Sequence, residues 1–316
     1  MVETSGATPR LCKALGNAHQ EKHALSLGRN MDNWQHNFIK TNGINLHYVS
    51  AGAGKLMLML HGFPEFWYSW RHQIEEFSTG YHTVAVDLRG YNDSDKPEGL
   101  SAYQMSEFVE DVRGVITGLG YEDCILVAHD WGGAIAWNFA YAYPEMVEKL
   151  IVLNIPHPAK FAQGLKTPQQ LAKSWYVFAF QIPWLPEFLF QLNDYQAIKD
   201  AFSGMAIDKT AFSEADLNAY RDAAAKPGAL TAMINYYRGI FPLLFDRQLQ
   251  EWQILDIPTL TIWGEEDTAL GKELTYGTEA YVRDWRIKYI PNCSHWVQQE
   301  QPELVNRYIR EFIEPQ

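Results

Sequence analysis

Cysteine is scarce in this chain of 316 residues: Cys12, Cys124 and Cys293 are the only three. So few, and an odd number, exclude a disulfide-dense scaffold and suit a reducing, cytoplasmic setting. Long apolar runs are missing as well. No stretch reaches the roughly 18 uninterrupted apolar residues of a membrane span, so no integral membrane segment is expected. The richest stretch, residues 175–192, is broken by Pro183, Pro186 and Glu187; it reads as packed interior or as the lining of an apolar cavity. Basic residues are outnumbered, 26 against 38 acidic, for a net charge of −12. That balance argues against nucleic acid or an anionic membrane surface as partner. The 10 histidines are scattered, with no H-E-x-x-H or paired-cysteine spacing, so neither metal nor other cofactor is expected. Residues 1–33 lack a continuous apolar core, which argues against a secretory leader; they read as a loosely ordered extension. What is abundant is core-forming material, 47% hydrophobic and 14% aromatic, which excludes wholesale disorder.

The pattern along the chain is α/β. Residues 37–41 and 44–50 flank Asn42-Gly43, a hairpin signal. Short apolar runs at 55–60, 82–88, 124–128 and 149–154 read as buried strands. Helical patterns lie between them: from Pro64 towards Phe77, over 103–119 with Ser101 as N-cap and Gly120 as stop, and over 132–143. This alternation belongs to a mostly parallel sheet covered on both faces. It stops over 156–246, which looks helical, and returns with strands at 258–263 and 285–290 and a helix at 302–313. The expected organisation is a sheet core from 34–155 and 247–316, with a helical cap, 156–246, inserted before the last strands.

Four motifs carry chemistry, each just past a strand, where open α/β sheets place their sites. Ala128-His129-Asp130-Trp131-Gly132-Gly133 has the small residues of a sharp strand-to-helix turn that thrusts its middle side chain into a cleft. That middle residue is Asp130; the plainer reading is a helix cap. In His61-Gly62-Phe63-Pro64 the glycine permits a close turn, and Phe63-Pro64 is a candidate cis bond. The Phe63 and Trp131 amides then converge as an oxyanion hole. Asp267 follows the strand at 258–263, and His295 follows the next one; taken singly, each reads as readily as a solvated loop carboxylate or a packed histidine. Their order along the chain, Asp130, Asp267, His295, is nucleophile, acid, histidine. A carboxylate nucleophile suits attack on sp³ carbon with a leaving group, forming an ester that a His295-activated water hydrolyses. Asp267 orients the histidine.

HGFPE at 61–65, DLRGYNDSDKP at 87–97, VAHDWGG at 127–133, WGEED at 263–267 and CSHW at 293–296 resemble the epoxide hydrolase branch of the α/β-hydrolase superfamily, over roughly 34–313. The resemblance implies the α/β-hydrolase fold, an epoxide and water as reaction partners, and no cofactor. The aromatic richness of the cap, with Trp175, Phe178, Phe180, Trp184, Phe188 and Phe190, argues for a small apolar epoxide, and a monomer or homodimer is expected. It also implies two cap tyrosines that donate to the epoxide oxygen. Asn235-Tyr236-Tyr237-Arg238 is similar to the family's N-W-Y-R pattern and selects Tyr237, with the Tyr236 side chain pointing elsewhere. Ser174-Trp175-Tyr176 selects Tyr176. His61, Pro64, Glu65, Trp175, Phe180, Trp184 and Trp296 are candidates for the substrate pocket. Glu65 reads as a surface carboxylate or as a holder of the hydrolytic water, and His129 as a brace of the nucleophile turn. Asp87, Arg89 and Gly90 read as structural. A haloalkane dehalogenase shares the aspartate nucleophile, but one group of these carries Asn where this chain has Phe63, whose side chain cannot donate; in another, Trp175 or Trp184 would have to bind the halide. The carboxylate-clamping arginines of fluoroacetate dehalogenases are replaced by Trp131 and Ala134. A non-catalytic protein of the same fold is the alternative from another class, although no catalytic position is missing.

Overall fold

The structure is a computed structural model that describes residues 34–241 and 252–314. The expected loose extension 1–33, and the expected change from cap to core at 246–247, lie outside the described residues. The chain divides into two units, Met1–Gln35 and His36–Gln316, and the features below belong to the second, Gln35 at the start of the first strand apart.

Eight strands form one sheet: β1 (Gln35–Thr41), β2 (Ile44–Ala51), β3 (Leu56–Leu60), β4 (His82–Val86), β5 (Cys124–His129), β6 (Val147–Leu153), β7 (Thr259–Gly264) and β8 (Trp285–Ile290). Their order is β1-β2-β4-β3-β5-β6-β7-β8. β2 runs antiparallel to β4, and every pairing from β4 to β8 is parallel. Burial follows from this. β3, β5 and β7 are buried along their whole length, as parallel strands covered on both faces must be. The edge strand β1 is largely exposed. The hairpin between β1 and β2 turns through Asn42 (φ 45°) and Gly43 (φ 78°), the left-handed pair that a two-residue turn of this kind requires.

Helices α1 (Arg71–Phe77), α2 (Met105–Gly118) and α3 (Asp130–Ala142) alternate with the first strands. After β6 come α4 (Pro158–Gly164), α5 (Pro168–Lys173), α6 (Trp175–Ala179), α7 (Leu185–Met205), α8 (Glu214–Ala225) and α9 (Ala229–Ile240), and α10 (Val297–Glu300) and α11 (Pro302–Ile313) follow β8. α7 is broken at residues 192–195, where Asn193, Asp194 and Tyr195 take positive φ.

Two expected helix starts are corrected. Ser101 does not cap α2: it lies inside a 3-10 turn, Leu100–Tyr103, and the helix begins after the extended Gln104. Pro64 does not open a helix either. Residues 62–65 close into a turn, with the Glu65 amide donating to Gly62 O (3.1 Å), and α1 starts only after the 3-10 turn Trp67–Trp70. Gly120, at φ 84°, does end the helical run.

Among the described residues no helix is long and apolar enough to cross a membrane. Cys124 and Cys293 are free and buried.

Candidate active site

The carboxyl ends of β3, β5, β6, β7 and β8 are neighbours in the sheet, and each sends a residue towards one place. Asp130 follows β5 with φ 47°, a left-handed conformation that costs a non-glycine residue energy and holds its side chain away from the strand axis. The turn closes only because its neighbours are small. A Cβ on Gly132 would come within 2.3 Å of Leu60 O, and one on Gly62 within 2.5 Å of Asp130 Oδ1.

The two oxygens of Asp130 have different surroundings. Oδ1 accepts the Phe63 amide at 2.8 Å. Oδ2 stands 3.6 Å from His295 Nε2, an ion-pair contact longer than a direct hydrogen bond. The Phe63-Pro64 peptide is cis. The Trp131 amide lies in the first turn of α3, where N–H groups have no partner within the helix.

His295 Nδ1 donates to Asp267 Oδ2 at 2.7 Å. Asp267 is fixed on all sides: Asn154 Nδ2 donates to the same oxygen (2.7 Å), and the amides of Ala269 (2.8 Å) and Leu270 (2.9 Å) donate to Oδ1. Burial opposes charge on all three groups, and their mutual attraction outweighs it. The pKa of His295 is held well above the usual histidine value by Asp267 and Asp130, and both carboxyls are held below the usual aspartate value, chiefly by His295. The two carboxylates thus favour the protonated form of the imidazole, and it favours their charged forms.

Above this cluster is a cavity of about 440 Å³, within the range of small-molecule sites. Phe63, Pro64, Asp130, His295 and Trp296 border it from the sheet side, and Trp175, Tyr176, Phe180 and Tyr237 from the helical side. The rings of Tyr176 and Tyr237 meet edge to face with centroids 5.8 Å apart, and Tyr237 also packs on Trp131 at 5.0 Å. Burial first, and then the nearby Asp130 charge, push both phenols above their ordinary pKa, so both keep their proton at neutral pH. Tyr236 points elsewhere, donating to Arg89 O at 2.7 Å.

Three expected pocket residues do not border the cavity. His61 is wholly buried; its Nδ1 donates to Gly62 O (2.8 Å) and its Nε2 accepts the Leu88 amide (3.0 Å). Glu65 is neither a surface carboxylate nor a wall of the pocket. It is fully buried, accepting from the Gly62 amide (2.8 Å), Gln298 and Gln299 (2.9 Å each), and facing His129 Nδ1 (2.7 Å). His129 in turn reaches His295 O (2.9 Å), so it braces the histidine loop as well as the nucleophile turn. Trp184, at positive φ just before α7, is 71% exposed. Segment 175–192 is therefore no packed interior: Trp175 is 67% exposed while also bordering the cavity. Asp87 and Arg89 are buried in structural roles, Asp87 facing His47 Nδ1 (2.6 Å) and Arg89 paired with Asp111 (2.7 Å).

Sequence reasoning missed Asn154, which directly follows β6, holds Asp267 and accepts the Gly264 amide at 2.9 Å. A polar residue at a parallel strand's carboxyl end was the available signal. It also missed the part of the wall that Ala197, Ala201 and Met205 of α7 contribute; Leu189 and Phe190, which border the cavity too, lie in the run 175–192 read as packed interior or cavity lining.

Comparison with known proteins agrees with this geometry. Residues 55–302 match the model of the alpha/beta hydrolase fold family. Epoxide hydrolase 4 of Homo sapiens is 45% identical over 283 residues, covering 87% of this chain and 77% of that protein. Epoxide hydrolase 3 of Xenopus tropicalis is 45% identical over 289 residues, covering 88% and 78%. The chain belongs to the epoxide hydrolases of the α/β-hydrolase fold. Among solved structures, a mutant of an epoxide hydrolase from Bacillus megaterium, complexed with its naphthyloxy-propanediol product, is 40% identical with a TM-score of 0.82, covering 88% of this chain and 99% of that one. Members of this family are hydrolases, and the arrangement above supplies a carboxylate, an imidazole, two phenols and an apolar chamber for that chemistry.

Proposed function

We propose that this epoxide hydrolase converts an apolar epoxide into its vicinal diol in two steps on Asp130. In the first step Asp130 Oδ2 attacks a ring carbon. The carbon–oxygen bond of the epoxide breaks, and the departing oxygen takes a proton from Tyr176 or Tyr237 while the other phenol holds it by a hydrogen bond. Asp130 is then an ester whose carbonyl oxygen is Oδ1. In the second step His295 Nε2 removes a proton from water, and the hydroxide adds to Cγ of Asp130. The charge that develops on Oδ1 falls to the Phe63 and Trp131 amides. Collapse breaks the Cγ–Oδ2 bond; the departing alkoxide takes the proton of the new carboxyl, so the diol leaves with Oδ2 and the oxygen of water stays in the carboxylate.

The observation that carries this reading is the division of labour at Asp130. One oxygen is bound to the Phe63 amide (2.8 Å), the other stands 3.6 Å from His295 Nε2, and the residue borders the cavity. The electrostatics support the order of events. In the resting protein two carboxylates favour the protonated form of His295, and a protonated imidazole is no base. Ester formation removes the Asp130 charge 3.6 Å away and lowers the pKa of the imidazole; its proton passes to the phenolate left by ring opening, so that a neutral imidazole meets the water. The apolar lining from Phe63, Phe180, Phe190 and Leu189 favours an aromatic or aliphatic epoxide, and the relative from Bacillus megaterium holds an aryloxy diol. In the same reading residues 156–246 act as the cap, since both phenols come from them.

The test is His295→Gln mixed separately with lipophilic epoxides and with haloalkanes, followed by intact-mass spectrometry and peptide mapping. An ester from epoxides on Asp130 is the expected result. An adduct from haloalkanes alone would transfer the same nucleophile to dehalogenation, and no adduct from either would refute the reading.

A further inference from the structure

Two parts of the site arise far apart in the chain. Asp267 lies in the loop after β7, and Tyr176 lies on α6. Between them stands Gln170, which touches neither the cavity nor a reacting atom. Its carboxamide is buried, with the residue 4% exposed, and three of its four hydrogen-bonding positions are used. Nε2 donates to Ala269 O (2.9 Å) and to Ser174 Oγ (3.0 Å), and Oε1 accepts the Gly271 amide (3.1 Å).

These contacts reach in two directions. Ala269 and Leu270 carry the amides that hold Asp267 Oδ1, so Gln170 grips that loop from both sides of Leu270. Lys173, three residues on and hence on the same face of α5, donates to Asp267 O at 3.0 Å. Ser174, fully buried, is the residue at which α5 ends and α6 begins. Its carbonyl accepts the Val177 amide at 3.0 Å and so sets the turn that carries Tyr176. We propose that Gln170 is a positioning residue that locks the loop of Asp267 and the helix of Tyr176 into one register, so that the ring-opening phenol and the orienting carboxylate are placed together.

Loss of this side chain then slows both chemical steps. Tyr176 drifts from the epoxide oxygen, and Asp267 no longer fixes His295. Misplacement by a fraction of an ångström costs about tenfold in each step. This inference rests on the two-step reading above. Failure of that reading appears as no Asp130 ester in the unaltered protein; failure of this one appears as an ester that forms and breaks at unaltered rates in the variant.

The experiment is single-turnover stopped flow on the full chain with a lipophilic epoxide. Formation and decay of the ester are followed by tryptophan fluorescence and acid-quench mass spectrometry, with rates normalised to the active fraction from the ester amplitude. Gln170→Leu is expected to lower both rate constants about tenfold per active site. Ser174→Ala cuts one arm of the link and is expected to slow ester formation while decay stays within about twofold. A residue that merely packs lowers the melting temperature and the active fraction without moving either rate constant, and that result overturns the proposal. So does a Gln170→Leu protein in which only one step slows. Should Gln170→Leu fail to fold, Ser174→Ala decides: slowed formation with unaltered decay supports the link, and any other pattern refutes it.

Discussion

Gly62→Ala is the smallest change that reaches the nucleophile. A Cβ at residue 62 would stand 2.5 Å from both Cβ and Oδ1 of Asp130, where ordinary contact begins near 3.4 Å. One partner must retreat by roughly 1 Å, since packed interiors have no slack of that size. The backbone at residue 62 is the stiffer of the two. Its amide donates to Glu65 Oε2 at 2.8 Å, and its carbonyl accepts from His61 Nδ1 (2.8 Å) and the Glu65 amide (3.1 Å). Asp130 therefore yields, losing its 2.8 Å bond from Phe63 and its line to the substrate. Overpacking costs about 1–3 kcal/mol of stability, and a displacement of this size costs roughly 10²-fold in the attack step. The assay is the single-turnover rate of ester formation at saturating epoxide, with a thermal melt beside it. A variant that is folded and forms the ester within about threefold of the unaltered rate would refute the claim that Gly62 is kept bare for the nucleophile.

Tyr176→Phe and Tyr237→Phe should each slow ring opening about 10²-fold, whereas Tyr236→Phe, which loses only a bond to Arg89 O, should leave ring opening intact and cost about 1 kcal/mol of stability; rapid-quench assays and melts separate these outcomes. Asp267→Asn should make the ester accumulate, with hydrolysis lowered roughly 10³–10⁴-fold as when the orienting carboxylate of a triad is neutralised, read by acid-quench mass spectrometry. Asp130→Asn mimics the charge of the ester, so the His295 imidazole should titrate at lower pH than in the unaltered protein, where both carboxylates raise its pKa; NMR of the ring follows this, and an unchanged or higher midpoint would contradict the electrostatic account. The sign also governs stability: the raised His295 pKa contributes at pH below the unfolded histidine value, and that contribution fades as pH rises through the folded one.

Much of the site was legible because its motifs are local. Asp130 and Trp131 share one strand-to-helix turn, His61 to Glu65 share another, and each follows a run of apolar residues that is unmistakable as a buried parallel strand. Tyr237 was separable from Tyr236 only through the resemblance to the family's N-W-Y-R pattern, and the structure points Tyr236 at Arg89. What was not legible depends on long-range packing. Nothing local distinguishes a buried Glu65 from a surface one, since its burial is made by Gln298, Gln299 and His129. Asn154 meets Asp267 only because β6 and β7 are adjacent in the sheet. The apolar run at 175–192 has one composition for two environments. Its cavity side and its exposed side are chosen by the turn at Trp184 and the break in α7 at 192–195, which hydrophobicity alone does not reveal.

The central claim is that water attacks the Asp130 ester and not the epoxide. The direct measurement is a single turnover, with enzyme in excess over epoxide, in water labelled with heavy oxygen. The account predicts an unlabelled diol and a heavy oxygen in the peptide that contains Asp130. A labelled diol with an unlabelled Asp130 peptide would contradict it, since water would then have opened the ring directly.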